Sequence, residues 1–289
     1  MRVKKKLQKL KPVFKIIGYC CAGILFFTIS IAAINHQQNT SCVGYNIHVS
    51  TANGMFFLNE EDVMQIIRDN NYSAQIGSDA GKVDYNRLEK IISNNPYAEK
   101  AEIILSPNGN VDVNVQQRVP ILRVINRNGV GFYMDESGTK LPLSDKFTAR
   151  VPVATGNILD SGLNEDFSDS ALTKKLFQLS EFIYNDSFLN KLVEQIYVDD
   201  KNEVSLVPKI GDHIILFGGF NNYEEKRNKL FSFYTEGLNH VGWQNYSAIN
   251  LKFRNQVYAT RRDGVKTAIK IFNPTVIADS LQLNKPKPN

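Results

Sequence analysis

Between residues 43 and 118 the apolar positions change period several times, and each change marks an element. Tyr45, Ile47 and Val49 alternate with Asn46, His48 and Ser50, the period of a half-buried strand. Asn59 precedes Glu60, Glu61 and Asp62: a capping side chain, then carboxylates at the positive end of a helix dipole. The helix is short, with Val63, Ile66 and Ile67 inward. Asp84 caps a second, which sets Tyr85, Leu88, Ile91 and Ile92 on one face and is stopped by Asn95-Pro96. Strand period returns at Ala101, Ile103 and Leu105, and again at Val111, Val113 and Val115 against Asp112, Asn114 and Gln116. Pro107-Asn108-Gly109 between these runs predicts a type I′ hairpin. Strand, helix, helix, strand, strand makes an independent α+β unit, three strands with one apolar face and two helices to cover it.

From 119 onward the pattern opens with strands at Ile121 to Ile125, Gly131 to Met134 and Pro152 to Ala154, with a turn at Asp135-Glu136-Ser137-Gly138. Leu172, Leu176, Leu179 and Ile183 then form an apolar stripe suited to covering a sheet. Strands resume at Gln195 to Val198, Glu203 to Val207 and His213 to Phe217. A last helix opens at Asn222, with Glu225 at capping-box spacing, and turns Leu230, Tyr234 and Leu238 inward. A closing hairpin is expected from Ala248–Phe253, a turn at Arg254-Asn255, and Gln256–Thr260. Beyond Lys270 periodicity is lost among Asn-Pro and Lys-Pro-Lys-Pro, and a disordered C-terminal tail is expected over 265–289.

Charge changes the picture at the other end. Seven basic residues lie in the first fifteen, and no Asp or Glu precedes Glu60. The formal +5 therefore belongs to the tail; residues 16–289 hold 27 basic against 29 acidic residues, net −2, which is no nucleic-acid footprint. Ile16 to Ile34 is an uncharged run of 19 residues. As a helix it spans roughly 28 Å, close to the ~30 Å hydrocarbon core of a bilayer. The next basic residue is Arg68, so the tail is expected in the cytoplasm and the remaining 255 residues outside it. The rival reading is a cleaved signal peptide, because Ser30-Ile31-Ala32 has cleavage-like spacing; the run exceeds the ~7–15 residues of a signal h-region. Cys20 and Cys21 fall inside the run. Cys42 is then the sole thiol of the exported part, which excludes an intramolecular disulfide there. Pairing between chains or lipid attachment at Cys42 are the functional readings, an unremarkable linker thiol the plain one. Hydrophobic residues at 43% and charged residues at 22% exclude wholesale disorder and a polytopic membrane protein.

Catalytic chemistry finds no support in the motifs. His36 and His48 lie outside any cluster, and His213 precedes Ile214-Ile215-Leu216-Phe217 as a strand entrance, without partners at metal-ligand spacing. G-x-S-x-G, H-E-x-x-H and a phosphate-binding glycine loop are all missing. Glu165-Asp166 and Asp169 read as a solvated loop rather than a glycosidase pair.

The chain resembles FtsQ/DivIB, the bitopic bacterial cell-division family, in its Bacteroidetes-type form. The residues that carry the likeness are Asn95-Pro96-Tyr97-Ala98-Glu99-Lys100-Ala101, Gln117-Arg118-Val119-Pro120, Tyr133 to Thr139, Leu141-Pro142-Leu143, Val151 to Gly156 and Ile249-Asn250-Leu251-Lys252-Phe253. The sequence departs from the family pattern at Asn250, where Asp is common, in lacking a Trp in the last strand, and in an insertion-like stretch over 71–82. The resemblance implies a basic cytoplasmic tail (1–15), a transmembrane helix (16–34), a linker (35–42), a POTRA-like βααββ domain (43–118) and an FtsQ-type β domain (119–264). Its fold class is thus α+β, the larger domain an antiparallel sheet with covering helices.

It also implies a non-enzymatic scaffold without cofactors, placed in the inner membrane at the division septum. FtsB and FtsL would dock through a free late strand, and an FtsW/FtsI-type septal synthase would follow. Edge-strand pairing supplies the physics: unpaired N–H and C=O groups accept an extended segment while side chains fill pockets. The candidate residues are Lys252, Phe253, Asn255, Gln256, Val257 and Tyr258, with Lys252 meeting an acidic side chain and Phe253, Val257 and Tyr258 offering apolar area. The competing placement turns Phe253 and Val257 into the domain's own core. On the docking reading, Val257→Pro should block capture with the fold intact. Two other functions remain open: a POTRA-type client-binding protein of outer-membrane assembly or secretion, and a wall-modifying enzyme.

Overall fold

The structure, a computed structural model, describes residues 19, 21–30, 41–50, 54–72, 75–79, 83–159, 163, 171–238, 242–263 and 266–270. They divide into two units, Met1–Gln117 and Arg118–Asn289. Of the expected span, residues 21–30 are helical, with Ile24, Leu25, Phe26, Phe27 and Ile29 exposed. Among the described residues no helix is long and apolar enough to cross a membrane.

The first unit runs β1 (Gly44–Ser50), α1 (Glu60–Asp69), α2 (Tyr85–Ser93), β2 (Ala98–Leu105), β3 (Asn110–Gln117), the predicted order. Its sheet is β1-β3-β2, with β1 parallel and β2 antiparallel to the central β3. Asn59 caps α1 in a full capping box with Asp62, and Asp84 caps α2 through the Arg87 N–H at 3.0 Å. Val63, Ile67, Leu88 and Ile92 turn onto Val111, Val113 and Val115 of β3, all at most 2% exposed. Gln117, 3% exposed, closes the unit: its Oε1 accepts from the Phe57 and Leu58 N–H groups at 3.0 and 2.8 Å.

Two expectations need correcting here. Within Ser106–Gly109 only Gly109 has positive φ, 85°, and its N–H reaches the Ser106 carbonyl at 2.9 Å. A type I′ turn needs positive φ at both central residues; Pro107 instead pre-sets the second position of a type I turn, and Gly109 supplies the left-handed residue after it. The linker also ends earlier than residue 42. The Cys42 N–H donates to Ser78 at 2.9 Å and its carbonyl accepts from Gly77 at 2.7 Å, so the insertion-like stretch pairs with it and leaves the thiol 1% exposed in the core. Burial pushes that thiol's pKa up, against a lowering hydrogen bond from Gly44.

The second unit contains β4 (Pro120–Ile125), β5 (Gly131–Asp135), β6 (Lys140–Pro142), β7 (Val153–Gly156), α3 (Ala171–Asn185), α4 (Ser187–Leu192), β8 (Val193–Val198), β9 (Val204–Pro208), β10 (Ile214–Gly218), α5 (Tyr223–Ser232), β11 (Tyr246–Asn250), β12 (Gln256–Arg261) and β13 (Lys266–Lys270). They form one sheet in the order β13-β12-β11-β10-β9-β8-β7-β4-β5-β6. The sheet is mixed rather than antiparallel: β4–β7, β7–β8 and β10–β11 are parallel pairs. Helical crossovers are the reason for the last two. α3 and α4 connect β7 to β8, α5 connects β10 to β11, and a strand that returns through a helix arrives parallel. Leu176, Leu179 and Ile183 of α3 and Leu230, Phe233, Tyr234 and Leu238 of α5 and its continuation pack onto Leu122, Val124, Ile196, Leu206, Ile215 and Ile249.

The Tyr133 to Thr139 motif acquires a physical role. Asp135 Oδ1 accepts from the Ser137 and Thr139 N–H groups at 2.9 and 2.7 Å, shaping the β5–β6 turn, while its Oδ2 pairs with Arg118 at 2.8 Å. Asn222, by contrast, makes no cap bond. Its φ of 51° is left-handed, and Glu225 is used elsewhere. The expected tail also begins later than residue 265, because Lys266–Lys270 forms β13 on β12. Residues 36, 165, 166 and 169, and everything beyond 270, lie outside the described residues.

Candidate partner-docking site

The six candidate residues gather at the β11–β12 turn, but on two sides of the sheet. β11 stops at Asn250, so Lys252 and Phe253 stand in the loop rather than in a strand. Phe253 is 50% exposed and its ring lies 4.6 Å from that of the half-buried Tyr258. Tyr258 donates its hydroxyl to Gln256 Oε1 at 2.9 Å. Asn255 adopts φ 57°, which an Asn tolerates and which turns the chain into β12. Val257 is 0% exposed within the core. It offers no apolar area to a partner, since the alternation of β12 sends Val257 and Ala259 inward and Gln256, Tyr258 and Thr260 outward.

The loop is held from below by Lys229 of α5. Lys229 Nζ donates to the Leu251 and Phe253 carbonyls, both at 2.7 Å, and lies 3.2 Å from Glu225 Oε1. Glu225 in turn accepts from the Asn255 N–H at 3.3 Å. Burial would raise the Glu225 pKa, but the bonds from Lys229 and Asn255, with the charges of Lys229 and Arg254, bring it below the usual carboxylate value. One turn earlier, Lys226 Nζ donates to the Gly219 carbonyl at 2.6 Å and to Asn221 Oδ1 at 3.0 Å, 4.6 Å from the Phe217 ring centre. Burial, and then repulsion from Lys229, lowers its ammonium to about 8, against the pull of Glu225 and Glu203. Lys252 pairs with Glu203 across the rim.

These groups line a cleft of about 510 Å³ beside the turn. Four cations, Lys226, Lys229, Lys252 and Arg254, stand against two carboxylates, Glu203 and Glu225, so its lining carries net positive charge. It can take an acidic side chain next to the exposed Phe253 and Tyr258. Glu225 to Lys229 at i, i+4 was the signal in the sequence for one of these contacts. Nothing in the sequence announced that Lys226 and Lys229 would be buried on backbone carbonyls, because those oxygens come from segments up to 24 residues away.

The free edge is displaced from where it was expected. β12 is paired on both sides, with β11 through Tyr246–Arg261 to Asn250–Tyr258 and with β13 from Gln256–Lys270 to Thr260–Lys266. A proline at Val257 would thus sit at a fully buried position of a strand paired on both sides, so Val257→Pro tests folding and not capture. The end strand of the sheet is β13.

His213 is 1% exposed, its Nε2 2.5 Å from the Tyr234 hydroxyl, and its Nδ1 lacks a hydrogen-bond partner. Among the described residues no group of three or more His, Cys, Asp or Glu is placed to hold a metal ion.

Residues 40–116 match the POTRA-like domain family, and residues 119–260 match the family described as FtsQ/DivIB, C-terminal related. No curated protein matches the chain. A POTRA-like unit joined directly to an FtsQ/DivIB C-terminal related unit, in this order, makes the chain a protein of the FtsQ/DivIB family.

Proposed function

We propose that the protein is a non-enzymatic, single-pass scaffold of the cell-division machinery. Proteins of its family are scaffolds of cell division at the membrane. Its basic tail stays in the cytoplasm, residues 16–34 cross the inner membrane, and both units stand in the periplasm at the division septum. There it docks FtsB- and FtsL-like partners by strand pairing at the β12–β13 end of the large sheet, and so helps recruit or regulate an FtsW/FtsI-type septal peptidoglycan synthase.

The observation that carries this reading is the turn between β11 and β12. It sets the exposed Phe253, its ring against that of the half-buried Tyr258, beside a cationic cleft at the end of a sheet. A partner strand pairing there would find apolar area for one side chain and Lys252 or Lys226 for an acidic one, the combination that strand addition uses for affinity and specificity.

Co-purification from membranes with the FtsB/FtsL pair tests it. Phe253→Ala with Tyr258→Ala should weaken capture by about tenfold or more, as loss of a hot-spot aromatic does. Lys252→Glu should weaken it through charge reversal, and the loss should be recovered in part by an acidic-to-basic change in the partner. Undiminished capture by both folded variants would remove this site. A tagged copy spread evenly over the envelope, rather than concentrated at midcell, would remove the division role.

A further inference from the structure

β13 stands apart from the rest of its sheet. The FtsQ/DivIB C-terminal related match ends at residue 260, within β12, and β13 begins six residues later. Without β13 the domain would end on β12, the strand that carries Gln256 and Tyr258. β13 covers the part of β12 that a docked strand would need, pairing antiparallel from Gln256–Lys270 to Thr260–Lys266. It is five residues long, has one neighbour strand, and has a lysine at each end.

We infer that β13 is a built-in stand-in for the partner strand. It holds the β12 edge in the free protein and is displaced when the partner's extended segment pairs with β12. The inference rests on the docking site proposed above and adds its regulation. An uncovered β12 would offer a row of unpaired backbone groups to any other chain, including a second copy of this one; a short lysine-flanked cover is how proteins blunt such an edge. The cover must also be removable. A five-residue end strand with a single neighbour opens at lower free energy than the doubly paired strands behind it. The partner replaces the same five backbone pairings, and it adds contacts of its own at Phe253, Tyr258 and the cationic cleft. Covering lowers the apparent affinity by the fraction of molecules that are open, so changes that hold or release β13 would tune capture without touching the contact residues.

A reversible lock in the full chain tests this. Thr260 and Lys266 are directly opposite, so Thr260→Cys with Lys266→Cys can tie β13 down. The oxidised chain should capture the co-expressed FtsB/FtsL pair at least about tenfold less than the same chain after reduction, because closing the edge removes the competent fraction. Equal capture by the two forms would overturn displacement and point to addition on the outer side of β13. A chain ending at Asp263 should capture more tightly than the full chain; unchanged or weaker capture by that folded variant also overturns it. If neither the reduced nor the unsubstituted chain captures the pair, the docking reading itself fails. Amide exchange needs no partner: on β12, N–H groups bonded to β13 should exchange at least about tenfold faster than those bonded to β11, and should slow on oxidation. Equal exchange on the two sides would sink the inference whatever the capture experiment finds.

Discussion

Val257 and His213 are residues whose tertiary neighbours decide their roles. Val257 is fully buried and stands opposite Ile269 of β13, so Val257→Pro should cost about 3 kcal/mol or more by removing a backbone donor and fixing φ in a strand interior. Urea unfolding of the exported region would measure it. The solvent-side variants Phe253→Ala and Tyr258→Ala should stay within about 1 kcal/mol of the unsubstituted protein. For His213, burial, and then the Arg262 charge, depress the imidazole pKa against the pull of Asp212. The folded value lies below the unfolded one, so the unfolded state binds more protons just below the ordinary value near 6.5. Stability is therefore full above that value and falls as pH drops through it towards the folded value. The urea midpoint should fall between pH 7.5 and 5.5, and His213→Gln, which can still bond Tyr234 but does not titrate, should flatten that fall. Glu225 has the same sign, but its loss sets in only as pH falls through the ordinary carboxylate value towards the lower folded one, outside this window.

Among elements, β7 and β8 are joined by a parallel pairing with no tolerance for a side chain at Gly156. A Cβ there would lie 2.0 Å from the Val198 carbonyl oxygen, at φ +104°. Gly156→Ala should destabilise the second unit by about 2–4 kcal/mol, from steric conflict and a disfavoured φ together; thermal unfolding would register it. Element types were largely legible in the sequence, because burial of one face imposes a period of 2 or 3.6 on its residues. The caps at Asn59 and Asp84 were legible too, since a cap bond closes within three residues. What escaped were β13 and the short helix α4, which is too brief to establish a period. The Asn222 cap failed on backbone geometry: its left-handed φ leaves no cap bond, and Glu225 joins Lys229 instead. The docking site was half legible for the same reason. Phe253 and Tyr258 belong to one turn, but the carbonyls that bury Lys229 and the strand that covers β12 come from elsewhere in the chain.

For the whole molecule, each of the two units has its own core. Cys42, Val63, Leu88 and Val113 belong to one cluster and Leu122, Ile196, Leu230 and Ile249 to another. Calorimetry should accordingly separate a component for each. Val113→Ala, which opens a cavity under α1 and α2, should lower the transition of the first unit by about 2–3 kcal/mol and leave that of the second unmoved. A matching shift in both would reveal energetic coupling between the units. Seven basic residues ahead of an uncharged run make a topological prediction at this scale, checked by protease protection of an N-terminal tag in intact cells.

The sequence by itself determined the order of most elements, the boundary near residue 118, the concentration of basic charge in the first fifteen residues and the family likeness, all of which rest on local periodicity, capping and charge count. Only the tertiary structure decided that the large sheet is mixed, that Cys42 and Val257 are core residues, that Lys229 of α5 holds the β11–β12 turn, and that β13 covers the strand chosen for docking. Those features depend on which segments meet across the sheet. Hydrogen bonds between residues tens of positions apart leave no period in the chain that could announce them.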